Sequence, residues 1–369
     1  MSRVTAFFRR EAVLSIAWIL ALGSMLLVPP DRTYISYVDF HTLGLLFSLM
    51  AVMAGLQSLG LFRCLGEAML SRTATLRQLE GVLIFLPFFA SMAVTNDVAL
   101  ITFVPFALEV LKMAGEERRA VPVVAMQTIA ANLGSMTTPI GNPQNLYLYS
   151  HYHLTLGVFF SAMLALTLGS AFLLGLFVRL EKSHALTLPA FGHAQLPRDR
   201  RLWLYLGLFL FCLGAVAGWL PVWAVTALVL AGVLRADRTI LRQVDWSLLL
   251  TFVGFFLFVG NLGRLPILHT FFQQVLYHHE VACSILVSQL ISNVPAALLL
   301  SGFTDNVAGL LVGTNLGGLG TLIASMASLI SYKQVARAYP QQRGRYLLWF
   351  TAANLIFLAA LLGLHSLLG

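Results

Sequence analysis

Two short stretches hold the side chains with the most chemistry to offer. They are Ser91-Met-Ala-Val-Thr-Asn-Asp-Val98 and Ser288-Gln-Leu-Ile-Ser-Asn-Val-Pro295. Each sets a hydroxyl residue and an asparagine, Thr95-Asn96 and Ser292-Asn293, in the middle of a long apolar run. Hydroxyl and amide oxygens are hard, neutral ligands that suit a cation such as sodium. Ser91 lies four residues before Thr95, and Ser288 four before Ser292, a spacing that stacks each pair on one helix face. Polar groups at membrane depth are costly and mark an ion or substrate path, although small polar residues also bind neighbouring helices together in a plain bundle. Asp97 is the one deep carboxylate. Three roles are open to it: proton carrier, sodium ligand, or cap of its own half-helix.

The elements that must position these residues are membrane helices. The chain has 369 residues, 59% of them apolar and 10% charged, and a mean hydropathy of +0.84. A soluble domain does not carry this composition. Continuous apolar runs of roughly 17–25 residues argue for a polytopic all-α membrane protein and against a β-barrel, whose strands alternate. Cys64, Cys212 and Cys283 have no CxxC spacing and read as packing residues. The net charge of +8 reflects loop charge rather than a nucleic-acid surface. Residues 1–29 resemble a signal peptide in outline but lack an A-x-A cleavage pattern, and the segment has a counterpart later in the chain.

The chain divides into a first repeat at 1–180, a linker plus an unpaired helix at 181–221, and a second repeat at 222–369. In the first, helices are expected at 13–29 and 40–62. A polar stretch with Arg63, Arg72 and Arg77 leads to a re-entrant hairpin at 81–111. A broken helix at 121–150 and a helix at 156–180 follow. The linker leads to the unpaired helix at 202–219. The second repeat has helices at 222–234 and 246–262, a hairpin at 281–303, a broken helix at 307–332 and a last helix at 347–368. Separate matches in the same order support the duplication, among them Val38-Asp39-Phe40 with Val244-Asp245-Trp246, Thr95-Asn96 with Ser292-Asn293, and the Gly- and Pro-rich breaks. With each hairpin entering and leaving on one side, there are about nine crossings, and the unpaired helix inverts the second repeat, as in many secondary transporters. This arrangement places every one of the 23 Lys and Arg residues except Arg32 and Arg264 on the side of the N-terminus. Positive loops stay in the cytoplasm, so the N-terminus is expected inside and the C-terminus outside.

Irregular backbone at this depth must line a cavity or be covered by protein. The break Asn132-Leu-Gly-Ser-Met-Thr-Thr-Pro-Ile-Gly-Asn-Pro143 aligns with Asn315-Leu-Gly-Gly-Leu-Gly-Thr-Leu-Ile323. Two tips and two breaks would offer half-helix N-termini for an anion and free oxygens for a cation. Substrate contacts are expected from Thr95, Asn96, Asp97, Thr137, Thr138, Asn142, Ser292, Asn293, Asn315 and Thr321. No Lys or Arg lies inside a core segment, so dipoles and a co-bound cation must meet an anion's charge.

These motifs resemble the ion transporter superfamily of divalent anion/sodium symporters, citrate transporters, arsenite permeases and NhaD-type antiporters, over about residues 10–365. The symporter tip reads Ser-Asn-Thr; its third position is Asp97 in one tip here and Val294 in the other. The Asn-Asp tip is closer to the arsenite and NhaD branches, while Thr138-Pro-Ile-Gly-Asn-Pro-Gln-Asn145 is similar to citrate-transporter-like members. The resemblance implies sodium near Ser91, Thr95, Asn96, Asn132 and Gly134, and near Ser288, Ser292, Asn293 and Gly317. It also implies a homodimer with an elevator-type moving domain. The expected function is secondary transport of a small anion, a carboxylate such as citrate or a dicarboxylate, coupled to Na+ or H+ without a cofactor. Sodium/proton exchange or arsenite or antimonite efflux through Asp97 is the alternative. A membrane aspartyl protease needs two facing carboxylates and only Asp97 lies deep. A metal enzyme wants clustered ligands, and His151, His153, His278 and His279 read as interface residues. No Walker motif appears.

Overall fold

The computed structural model describes residues 11–70, 73–186 and 199–368. The expectations placed on Arg3, Arg9, Arg10, Arg72 and the Pro189–Arg198 part of the linker lie outside the described residues. Among those described, the protein is all helical; the sole β feature is one bridge between Thr75 and Ala185.

The helices run in order as α1 Ala12–Met25, α2 Phe40–Ser58, α3 Leu61–Leu70, α4 Leu76–Ala90, α5 Asn96–Met113, α6 Ala120–Ser135, α7 Pro143–His151, α8 Leu156–Leu180 and α9 Arg200–Val216. They continue as α10 Val222–Ala236, α11 Trp246–Gly263, α12 Pro266–Leu276, α13 Glu280–Ile291, α14 Asn293–Leu300, α15 Val307–Leu316, α16 Met326–Ala338 and α17 Arg343–Leu368. By length and composition, α2, α8, α11 and α17 can each cross a membrane. Helices α1 and α10, with 14 and 15 residues, span only about 21–23 Å at 1.5 Å per residue. That is less than the roughly 30 Å hydrocarbon core.

Two elements were not foreseen. The helix expected at 40–62 ends at Ser58, and α3 starts beyond Gly60, whose φ of +74° ends the first helix. The stretch read as merely polar is thus partly a helix, with Leu65 and Met69 exposed. Its counterpart α12 follows α11 and exposes Ile267 and Phe271. Neither shows in a search for long apolar runs, because their apolar residues lie on one stripe.

Local chemistry sets the helix starts. Asp39 Oδ1 accepts from Thr42 N at 2.9 Å at the head of α2, and Asp245 Oδ1 accepts from Leu248 N at 2.9 Å at the head of α11. Each such cap contributes about 1 kcal/mol. In the loop after α1, Asp31 accepts from Thr33 and from Arg264 Nη1 at 2.8 Å. The Thr33 hydroxyl first, and then Arg264, hold its carboxyl down to about 2.

Packing is exchanged between the two halves of the chain. Helix α1 packs on α11, and α10 packs on α2. The arms α4 and α5 pack together as one hairpin, α13 and α14 as another. Arm α5 lies against α16, and arm α14 against α7. The first arms α4 and α13 lie against α6 and α15, the helices leading into the breaks.

The base of the first hairpin is fixed by ions. Glu80 is fully buried and receives Arg119 Nε at 2.5 Å and Nη2 at 3.0 Å. Arg119 Nη2 also meets Glu181 at 2.7 Å. Arg77 donates to the Glu181 carbonyl, and the bridge to Ala185 closes the cluster. Removing one partner of a buried pair strands the other charge. Arg119→Ala is therefore expected to lower unfolding stability by about 3–5 kcal/mol, with much of the loss recovered when Glu80→Gln is added. Denaturant unfolding in detergent would check this; an unchanged midpoint would mean the pair contributes nothing.

Candidate functional site

The first tip is the turn 91–95 between α4 and α5; the second is a single residue, Ser292, between α13 and α14. The expectation that Ser91 and Thr95 share one helix face is corrected here. Ser91 closes α4, Thr95 opens α5, and the turn between them breaks the helical spacing. Ser292 likewise ends α13 at φ +77°, a left-handed position where a serine is strained.

The breaks lie beside the tips, and matching bonds join them. Asn96 N donates to the Gly141 carbonyl at 3.2 Å, and Asn293 N to the Ala324 carbonyl at 3.0 Å. These bonds bring the start of α5 to the start of α7, and the start of α14 to the start of α16. Four helix N-termini therefore meet in two pairs. The breaks also join each other. Asn142, which opens α7, donates through Nδ2 to Asn315 Oδ1 at 3.1 Å. Ser325, which opens α16, donates through Oγ to Asn132 Oδ1 at 3.1 Å. Asn315 Nδ2 donates to Asn145 Oδ1 at 2.6 Å, and Asn96 Nδ2 to Asn132 Oδ1 at 2.9 Å.

Two glycines let each tip close on its break. A Cβ on Gly134 would stand 2.0 Å from the Phe88 carbonyl oxygen and 2.6 Å from Ser91 Oγ. One on Gly317 would stand 2.6 Å from Ser288 Oγ. The structure thus gathers Ser91, Asn96, Asn132 and Gly134 in one seam, with Thr95 at its edge. It gathers Ser288, Ser292, Asn293 and Gly317 in the other. The Thr95 hydroxyl does not cap α5, and Ser292 Oγ leans on the Ala324 carbonyl at 3.4 Å. The first seam is lined by hydroxyl and amide oxygens, the ligand type hard cations take, with Ser91 Oγ donating to the Phe88 carbonyl at 3.0 Å.

Other expected residues serve differently. Thr138 donates to the Met92 carbonyl at 2.5 Å and so ties break to tip. Thr137 turns to Thr167 on α8 at 3.2 Å. Thr321 is exposed, and its backbone N–H is bound by Gln289 Oε1 at 2.9 Å. Asp97 faces a cavity of about 150 Å³, room for several waters. Gln57, Thr95, Asn142, Gln243 and Asp245 supply its other polar wall, and Leu49, Met50, Met53 and Ile101 much of the apolar one. None of its lining residues is Lys, Arg or His.

Sequence reasoning missed Gln289, Asn145, Ser325 and the cavity role of Asp245. Aligning the breaks two residues further would have paired Ser325 with Asn142. Gln289 sits inside the quoted motif, but its opposite number is Met92, so the repeat gives no hint of it.

This geometry defines a class: a polytopic helical membrane protein whose broken helices and hairpin tips build a polar centre, as membrane transporters do. Comparison with known proteins is specific about the group. The family model described as "Citrate transporter" matches residues 4–315. The inner membrane protein YbiR of Escherichia coli K12 is 31% identical over 324 residues, covering 85% of each chain. The uncharacterized transporter MJ0456 of Methanocaldococcus jannaschii is 29% identical over 297 residues, 80% of this chain and 81% of its own. The silicon efflux transporter LSI3 of Oryza sativa subsp. japonica is 36% identical over 130 residues, 34% of this chain and 26% of its own. The chain belongs to the citrate transporter family; it is a multi-pass membrane transporter and not an enzyme.

Overpacking the first seam would show its role. Gly134→Ala must push the Phe88 carbonyl away, at about 1–3 kcal/mol. Strain falling on the bound state lowers cation affinity roughly ten- to a hundredfold. Gly207→Ala, with nothing within 4 Å of the added Cβ, is expected to leave affinity unchanged. Equal effects in titrations of the two purified variants would remove the seam from consideration.

Proposed function

We propose that this protein is a secondary active transporter of the cytoplasmic membrane that carries a small anion, a carboxylate such as citrate or a dicarboxylate, with sodium or protons as the driving ion. The observation that carries the reading is the meeting of four helix N-termini in two pairs, since each such end favours negative charge. The asparagine amides between them add donors, and the oxygens of the Ser91 seam suit a co-bound cation. Membership of the citrate transporter family agrees with it.

The exchanged packing supports an inverted repeat with two re-entrant hairpins. In this reading the N-terminus is cytoplasmic and the C-terminus outside, and the first hairpin opens from the cytoplasm. The Asp97 cavity then runs from the cytoplasmic loop before α11 to the first tip, an inward-facing state. Alternating access follows as an elevator motion of hairpins and breaks against α1, α2, α10 and α11, within a homodimer.

A second reading rests on that cavity. Asp97 and Asp245 share it without a basic side chain. A bare anion 4 Å from one carboxylate would meet about 4 kcal/mol of repulsion at an effective dielectric of 20. An uncharged oxyacid, or a cation exchanged for protons, would not. The rice relative is named for silicon efflux, which belongs with this reading.

Proteoliposome flux separates the two. A sodium or proton gradient is expected to drive uptake of citrate or a dicarboxylate. Asn96→Ala should cut uptake about tenfold or more, the loss of one hydrogen bond to a charged group. Asp97→Asn should retain uptake. Movement of arsenous or silicic acid with no carboxylate flux would sink the carboxylate reading, and loss of proton dependence alone in Asp97→Asn would favour the second.

A further inference from the structure

The two seams differ most at one position. In the second half, Gln289 fills the space between tip and break. Its Nε2 donates to the carbonyls of Gly317 at 3.0 Å and Leu319 at 2.9 Å, with the Ile285 carbonyl at 3.3 Å. Its Oε1 accepts from Thr321 N at 2.9 Å. These partners fix the amide's orientation, because a flipped amide would set its oxygen against three carbonyl oxygens. The backbone wraps round it: Gly320 lies at φ +114°, and a Cβ there would stand 2.4 Å from Gln289 Oε1. Carbonyl oxygens converging from a helix and an unwound segment are the surroundings a small hard cation takes. An amide NH2 with partial positive charge holds that point instead.

The first half is built otherwise. The matching residue is Met92, which has no side-chain donor, and its carbonyl takes the Thr138 hydroxyl. The side-chain amide bonded to that break's carbonyls, Asn145, comes from α7 rather than from the hairpin. It reaches the carbonyls of Ser135, Met136 and Thr138 at 3.4 Å each. The Gly317 carbonyl is held by Gln289, whereas among the described residues no side-chain amide is bonded to its counterpart, the Gly134 carbonyl.

We infer that Gln289 stands in for the cation in the second seam, so that the chain binds a single coupling cation, in the first seam at Ser91, Thr95, Asn96 and Gly134. This rests on the cation-coupled reading above and departs from the family resemblance, which places sodium beside both tips. The serines do not separate the seams, since Ser288 Oγ donates to the Ser284 carbonyl at 2.6 Å and Ser91 Oγ to the Phe88 carbonyl at 3.0 Å; the difference lies at Gln289.

The test is radiolabelled sodium binding to the purified full chain in detergent, with sodium-dependent thermal stabilisation as a second readout and potassium as control. Wild type is expected to bind no more than one sodium per chain. Ser91→Ala should abolish that binding, while Ser288→Ala changes its affinity less than twofold. Gln289→Met, which installs the first-half residue, is expected to add one sodium, lost again when Ser288→Ala is combined with it. Two sodium ions in wild type would overturn the inference. So would a loss of affinity of about tenfold or more in Ser288→Ala, or a folded Gln289→Met that binds no more than wild type. If Gln289→Met does not fold, the wild-type count and the Ser288→Ala arm decide. No sodium in wild type but one in Gln289→Met would refute sodium coupling at the first seam and leave the role of Gln289 supported.

Discussion

A helix interrupted inside a bilayer leaves carbonyls at one broken end and N–H groups at the other, and hydrocarbon offers neither a partner. Everything at the centre of this protein answers that constraint. The N–H groups of Asn96 and Asn293 are taken by carbonyls of the breaks beside them. The carbonyls of the second break are taken by Gln289, and those of the first are approached by Asn145. The carboxamide recurs because it offers two donors and an acceptor without a net charge, and so meets loose ends of both kinds at once.

The same need binds the two halves into one body. Had each break been satisfied within its own half, the halves could slide apart. Instead Asn142 and Asn315 bond across, as do Ser325 and Asn132, and each second hairpin arm lies on a helix from the other half. The glycines at 134 and 317 let each tip close on the break of its own half. A satisfied, buried polar network of this kind is rigid, which suits the elevator motion proposed above.

Much of this was legible in the sequence. The helical membrane class followed from the apolar runs, and Thr95-Asn96, Ser292-Asn293 and the breaks at 132–143 and 315–323 were visible as polar residues where lipid allows none. The structure joins Asn96, Asn132, Asn142, Asn315 and Ser325 by hydrogen bonds, but leaves Thr321 exposed and turns Thr137 to Thr167. What stayed hidden is of three kinds. Helices α3 and α12 are short and striped, so no window of uniform hydropathy reveals them. Ser91 and Thr95 sit four apart yet on different helices, because spacing says nothing once the helix has ended between them. Gln289 and Asp245 acquire their roles from partners distant in sequence, Gln289 from the 317–321 backbone and Asp245 from Asp97, and no local pattern announces such meetings.

The two hairpins are unequal in reach. The arms of the first have 15 and 18 residues, those of the second 12 and 8. At 1.5 Å per residue these are about 22 and 27 Å against 18 and 12 Å. In the orientation proposed, the polar centre lies nearer the outer surface than the inner one. With about 2.3 kcal/mol per charge per 100 mV across the full thickness, a centre off the midplane divides the membrane voltage unequally, so for the proposed coupling ion the inner and outer steps would carry different shares of it.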